Sequence, residues 1–327
     1  MPTHRERLQA CLNGRILDRP PVALWRHFPV DDQTPEGLAA ATLLFQRSYD
    51  FDLVKVTPAS SFCVKDWGVE DAWQGEPEGT RGYTKRVIRD ASDWERLPVL
   101  DSSAPHLADQ LTSLRLLRHE LGKDVPIIQT IFSPLAQAKN LAGGEKLIFH
   151  LREHPKHVLR GLEVITESTR GFIQAAIQAG IDGIFYAVQH AQANLLSKDE
   201  FRLFSKTYDL AILENVQDLW CNMVHIHGKD IYFDQVAGYP VQILNWHDRE
   251  TAPSLREAQK SFRGVICGGL SLETLVLGRP AEIRKEAAEA IQQTKGQRFI
   301  LGTGCVIPTI TPHGNILTAR QCVEESA

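Results

Sequence analysis

Short apolar runs separated by longer stretches of helical periodicity dominate the pattern of this chain. Eight runs rich in apolar and β-branched residues stand out, at 21–25, 52–58, 126–132, 180–187, 223–228, 241–247, 264–270 and 298–305, and each has the length of a strand. Between them apolar residues recur every three or four positions. In 156–178 the periodic set is Leu159, Leu162, Ile165, Phe172 and Ala176, and in 280–293 it is Ile283, Ala287 and Ile291, the spacing of helices with one buried face. Strands alternating with helices imply a parallel sheet. Eight such units closing on themselves make a (β/α)8 TIM barrel, an α/β fold. An open doubly wound sheet is the alternative, but the first run leads into no glycine-rich nucleotide turn.

One connection breaks the rhythm. Residues 59–125 hold far more chain than one crossover needs and include the charged, glycine-containing piece 73–86, so a lid-like insertion after the second strand is expected. The rest reads as one domain over 1–327, closing with a loop at 306–314 and a short terminal helix.

Composition narrows the classes. A chain of 327 residues that is 43% hydrophobic can bury one large core. Its 36 basic and 40 acidic residues give a net charge of −4 without long same-sign runs, which argues against nucleic acid as a partner. The charged N-terminus lacks the apolar core of a signal peptide. No stretch reaches the ~20 apolar residues of a membrane span. The cysteines, Cys11, Cys63, Cys221, Cys267, Cys305 and Cys322, are widely spaced, unlike a disulfide scaffold, and a reducing cytoplasm is the expected compartment.

Candidate chemistry gathers at the ends of the later strands. Side chains alternate along a strand, so His225 and His227 share one face of the fifth run while Val224 and Ile226 share the other. With the apolar pair toward the helices, both imidazoles point into the barrel at its C-terminal end, where barrel enzymes place their chemistry. Cys305 ends the eighth run. Two imidazoles and a thiolate satisfy three of zinc's four tetrahedral positions and leave one open for substrate. The alternative is a pair of hydrogen-bonded inner-barrel histidines beside a small apolar cysteine. His247, with Asn245 and Asp248, ends the sixth run and is a candidate acid–base or hydrogen-bonding group; Asp248 reads as a helix cap. Arg26 could hold a substrate carboxylate or a structural ion pair. Tyr186, Gln189 and His190 leave the fourth run as candidate mouth residues, or as ordinary polar loop. Lys55 shares its face with Leu53 and Thr57 and is left outside the site. Gly268 and Gly269 would admit a ligand to the backbone or make a tight turn.

The succession DRPPVALWRHF, FDLVKVTP, GIDGIFYAVQHA, HIHG, NWHD, GGL and GTGCVIPTITPHGNI resembles the uroporphyrinogen decarboxylase superfamily over nearly the whole chain. That resemblance implies the TIM barrel and two chemistries: decarboxylation of porphyrinogens, and zinc-dependent methyl transfer between a corrinoid protein and a thiol. The decarboxylases resemble R-P-P-V-W-x-M-R-Q-A-G-R in the first strand, where two arginines and a later Asp meet substrate. Here only Arg26 matches, Val30 stands at or near the second arginine, and Val56-Thr57-Pro58-Ala59 stands where the Asp would be. The methyltransferase branch resembles H-x-C on the fifth strand and a Cys after the eighth; this chain has His225-Ile226-His227 and Cys305. The resemblance therefore favours a zinc-dependent methyltransferase-like enzyme that activates a thiol, with a small-molecule substrate, a corrinoid carrier and homodimerisation implied. A decarboxylase of a carboxylated substrate, and a non-catalytic barrel that binds a tetrapyrrole or corrinoid, remain open.

Overall fold

The computed structural model describes residues 2–15 and 18–324. Among the described residues nine strands form: β1 (Val54–Val56), β2 (Glu70–Ala72), β3 (Gly82–Lys85), β4 (Ile127–Phe132), β5 (Gly183–Val188), β6 (Met223–Ile226), β7 (Ile243–Trp246), β8 (Val265–Leu270) and β9 (Phe299–Thr303). Seven of them make one parallel sheet in the order β1-β4-β5-β6-β7-β8-β9. Every residue in these seven strands is buried, because helices cover the outer face and the sheet curls over its inner one. That is the reason the runs are apolar without clean alternation.

The first expected strand, 21–25, forms a single bridge instead. Pro20 and Pro21 have no N–H to give a ladder, and Val22 alone pairs, in parallel, with Leu301 of β9. The segment still links the two edges of the sheet. Ala23 N donates to Leu301 O at 2.9 Å, Leu301 N donates to Pro21 O at 2.8 Å, and Asp52 N, just before β1, donates to Val22 O at 2.9 Å. The result is a curled parallel sheet of the TIM-barrel kind. Asp52 is fully buried below it and accepts from Arg7 Nη1 at 2.8 Å, Arg19 Nη1 at 2.7 Å and Val22 N at 2.9 Å. Burial pushes its carboxyl up, but hydrogen bonds from His4, Arg19 and Val22 N together with the Arg19 charge outweigh it and hold the group well below the usual range.

Residues 59–125 contain the antiparallel pair β2–β3, short 3-10 turns and the helix Pro105–Leu121 that leads into β4. Asp71, whose side chain is shielded from solvent, ties β2 down through Arg81 Nε at 2.8 Å, while Arg81 Nη1 donates to Pro29 O at 2.7 Å. The piece is thereby fastened to the chain beyond the 21–25 segment. The long helix Pro155–Gln178 and the helix Pro280–Thr294 lie where the periodicity placed them. No helix among the described residues is long and apolar enough to cross a membrane.

Candidate metal centre

Strands β6, β7 and β9 end on one side of the sheet and carry four potential ligands to a common point. One ligand atom each from His225, His227, His247 and Cys305 lies within 4.8 Å of all the others. Bond lengths of ~2.1 Å to nitrogen and ~2.3 Å to sulfur place tetrahedral zinc ligands about 3.5 Å apart, so small side-chain adjustments would close this set around one ion. His225 and His227 come from alternate positions of one strand. His247 arrives from the next strand, and Cys305 from the loop after β9.

The protonation of His225 is fixed by its neighbour. Asn245 Nδ2 donates to Cys267 O at 3.0 Å and to Thr303 O at 2.9 Å, which turns Oδ1 toward His225 Nδ1 at 2.7 Å. His225 Nδ1 must then carry the proton, and Nε2 keeps its lone pair. That Nε2 is buried without a hydrogen-bond partner. A buried polar atom left unpaired is costly, and a lone pair held in this way is what a cation would bind. Burial first, then His247 and His227, keep the ring neutral, well below the ordinary histidine range. Phe185 stacks on it at 5.3 Å between centroids.

The other donors fit the same chemistry. His227 is held down to about 4, by burial and then by His247 and Lys139, and its Nδ1 lies 3.3 Å from His247 Nε2. Burial raises the Cys305 thiol to about 11, against the pull of Lys55. A bound cation would reverse that and hold the thiolate. His247 Nδ1 is 3.6 Å from Glu250.

In front of this set lies a cavity of about 280 Å³, lined in part by Trp25, His27, Lys55, Phe185, Gln189, His225, His227 and Cys305. Lys55 and Lys139 both face it and neither has an acidic partner among the described residues. Lys55 Nζ donates to Thr57 Oγ1 at 3.0 Å and sits 4.5 Å from the Phe185 ring centroid; burial lowers it to about 7. Lys139 Nζ donates to Gln189 Oε1 at 2.7 Å, and burial, then Arg86, lowers it to about 8. The piece 59–125 contributes Ser60, Glu78, Thr80, Arg81 and Tyr83 to the lining.

A family model described as uroporphyrinogen decarboxylase (URO-D) matches residues 3–326. The chain belongs to the URO-D family. Its relatives divide between two activities. It is 28% identical over 264 residues to a uroporphyrinogen decarboxylase of Chlorobium phaeobacteroides, covering 73% of this chain and 71% of that one. It is 26% identical over 207 residues to a methylcobamide:CoM methyltransferase of Methanosarcina barkeri, and there the match spans 63% of this chain and only 60% of the relative's length. A solved methyltransferase from Methanosarcina mazei superposes with a TM-score of 0.88 at 22% identity, over 100% of this chain and 99% of that one. At that identity the superposition establishes a shared fold.

Other residues singled out in the sequence separate in space. Gln189 lines the cavity. His190 lies behind it, buried and with Nδ1 unpartnered; burial, then Lys139 and His227, lower it to about 3. Arg26 is turned away. Trp25 and His27 occupy the cavity face, so Arg26 between them points to the opposite side, where its guanidinium lies 5.5 Å from the Phe28 ring centroid and Nε donates to His27 O. Tyr186 also faces outward and donates to buried Asp209 at 2.7 Å. Asp248 does not cap a helix: its carboxylate accepts from Gly269 N at 3.1 Å, and Ser254 caps the helix that follows. Gly268 thus makes room for Asp248, since a Cβ there would lie 2.3 Å from its Oδ1, whereas Gly269, at φ 104°, makes room for Ala290, whose Cβ would lie 2.5 Å from one added at Gly269. Lys55, Lys139 and His27 line the cavity although the sequence reading gave them no role. For Lys55 the signal was present, because a lysine inside an otherwise apolar buried strand needs a reason to be there.

Proposed function

We propose that this protein is a zinc-dependent methyltransferase-like enzyme that activates a thiol for methyl transfer from a corrinoid or other carrier. His225, His227 and Cys305 are the ligands, and His247 stands beside the fourth position, which is left open for the thiol. The observation that carries this reading is the buried, unpartnered Nε2 of His225, its lone pair fixed by Asn245 and directed among three further donors. Zinc held there supplies a Lewis acid that lowers the pKa of a thiol enough for it to react as thiolate at neutral pH. His247 is placed to hydrogen-bond the incoming group or take its proton. Lys55 and Lys139 offer positive charge to an anionic part of the substrate, and Trp25 and Phe185 keep the reacting end dry. The activity named for the Methanosarcina barkeri relative belongs to this class.

The barrel reading extends to closure by the 21–25 segment as an eighth element, and residues 59–125 act as the lid of a single domain. Arg26, on the far face, supports the fold at the strand end, and His190 packs behind His227.

A second reading rests on the lysines: a decarboxylase would use Lys55 and Lys139 to hold a carboxylated substrate. A cavity of about 280 Å³ lies at the small end of ligand pockets, which suits a small acid better than a molecule of four pyrrole rings. The same size weighs against a barrel that merely encloses a tetrapyrrole or corrinoid.

Elemental analysis after dialysis against a weak chelator tests the assignment. The wild type should keep one zinc per chain, and His225→Ala, His227→Ala and Cys305→Ala should each lose it. A wild type that stays metal-free after zinc is added back, yet turns over a small carboxylic acid, would bring the second reading forward.

A further inference from the structure

At the opposite end of the sheet, where β8 and β9 begin, lies a second concavity. It is an open groove of about 850 Å³, formed where the helix Leu255–Ser261, the loop 262–264 and the C-terminal end of the helix Pro280–Thr294 meet. Arg298 enters β9 at this end and Cys305 follows β9 at the other, a separation on the order of 20 Å along an extended strand. The groove is therefore separate from the metal centre, and what it binds stands whatever chemistry that centre performs.

Its charge is one-sided. Arg256, Lys260, Arg263, Lys295 and Arg298 line it, and no acidic side chain does so among the described residues, in a chain whose net charge is −4. None of the five joins an ion pair within 4 Å among the described residues. The acid nearest in sequence, Glu257, is engaged elsewhere, accepting from Ser254 N at 2.9 Å and Ser254 Oγ at 2.7 Å. Five cations without an ion-pair partner in one concavity raise the local concentration of anions.

The backbone holds two of these cations in an uncommon conformation. Lys295 and Arg298 are two of the four non-glycine residues with positive φ among the described residues, at 55° and 47°, with Gly296 between them at 62°. Lys295 is accounted for, since it ends a helix in the left-handed cap. Arg298 is not: it directly precedes a strand, and its strained backbone fits the tendency of such conformations to collect at ligand sites. Its side chain is positioned as well. Nη1 donates to Leu12 O at 2.8 Å, and the guanidinium lies across Gly14, where a Cβ would approach Nη2 to 2.9 Å.

We propose that this groove binds a small polyanion carrying two or more phosphate groups. Guanidinium forks pair phosphate oxygens bidentately, and the volume falls within the range of small-molecule sites. Phe262, the aromatic residue in the lining, is only 7% exposed, so it offers no open face on which a base could stack. Recognition is of the phosphates.

Calorimetric titration of the full-length protein with inorganic tripolyphosphate, and separately with ATP, tests the proposal. Tripolyphosphate should bind, more weakly as salt rises, and the exposed charge reversals Lys260→Glu and Arg263→Glu should each weaken it at least tenfold while zinc content and circular dichroism stay as in the wild type. Equal affinity for the two probes would assign a free oligophosphate; tighter binding of ATP would assign a nucleoside triphosphate. No binding at millimolar tripolyphosphate, or unchanged binding in both variants, overturns the site.

Discussion

Asn245 sets the state of His225, and its removal separates positioning from ligation. Second partners of metal-bound histidines are worth roughly 10–100-fold in metal affinity. Asn245→Leu, which leaves every donor in place, should therefore weaken zinc by about that factor in a chelator competition; unaltered affinity would mean that the hydrogen bond at 2.7 Å does not orient the ring. Lys55→Met probes the cavity's charge. It should keep zinc and raise the KM for an anionic substrate about tenfold, and a KM that does not move would remove Lys55 from substrate recognition. Much of this detail was legible. The two-residue period put His225 and His227 on one face, and the strand end picked out Cys305. The same period, applied to Trp25 and His27, turns Arg26 away from the cavity, and the apolar Leu53 on the face of Lys55 masks that lysine in the sequence. Lys139 was not legible, because it lies on a helix whose inward side depends on how that helix packs.

Gly304 shows how whole elements, rather than single contacts, bring the donors together. A Cβ there would lie 2.6 Å from His247 Cα and 2.8 Å from Trp246 O, so the end of β9 rests directly on the end of β7, although β8 lies between them in the sheet. Gly304→Val should force these ends apart, lowering stability by about 1–3 kcal/mol and zinc affinity at least tenfold. Zinc affinity equal to the wild type would show that the cluster does not depend on this contact. Strand existence was readable in seven of eight runs because each is rich in apolar and β-branched residues over the length of a strand. The exception, 21–25, failed for a local reason, two prolines without donors, while its neighbours on both sides still accept and donate to it.

Across the molecule, stability against pH is a balance of two opposed buried sets. His27 and His190 are each lowered to about 3, with burial the largest cause. They stay neutral in the fold but protonate near 6.5 when unfolded, so the stability they contribute is full above pH 6.5 and is lost as pH falls toward 3. Asp209 is raised to about 6 by burial; its contribution is full below pH 4 and is lost as pH rises through 6. His27→Gln should thus gain relative stability in acid, by up to about 1.4 kcal/mol per pH unit, and Asp209→Asn should shift the balance the other way. Urea unfolding of the metal-free protein at pH 4.5 and 7 checks both signs. Parallel profiles for wild type and His27→Gln would show that His27 is not held neutral.

Local pattern alone specified the alternation of strands and helices, the inward face of β6 and the residue types suited to zinc, because each depends on chain periods of 2 and 3.6 residues that any segment carries within itself. Only the curl of the sheet decided that His247 joins His225, His227 and Cys305, that two lysines without acid partners share their cavity, and that five cations meet at the opposite end. The segments that carry them are tens to hundreds of residues apart in the chain, and the register and packing that join them are set by every strand between.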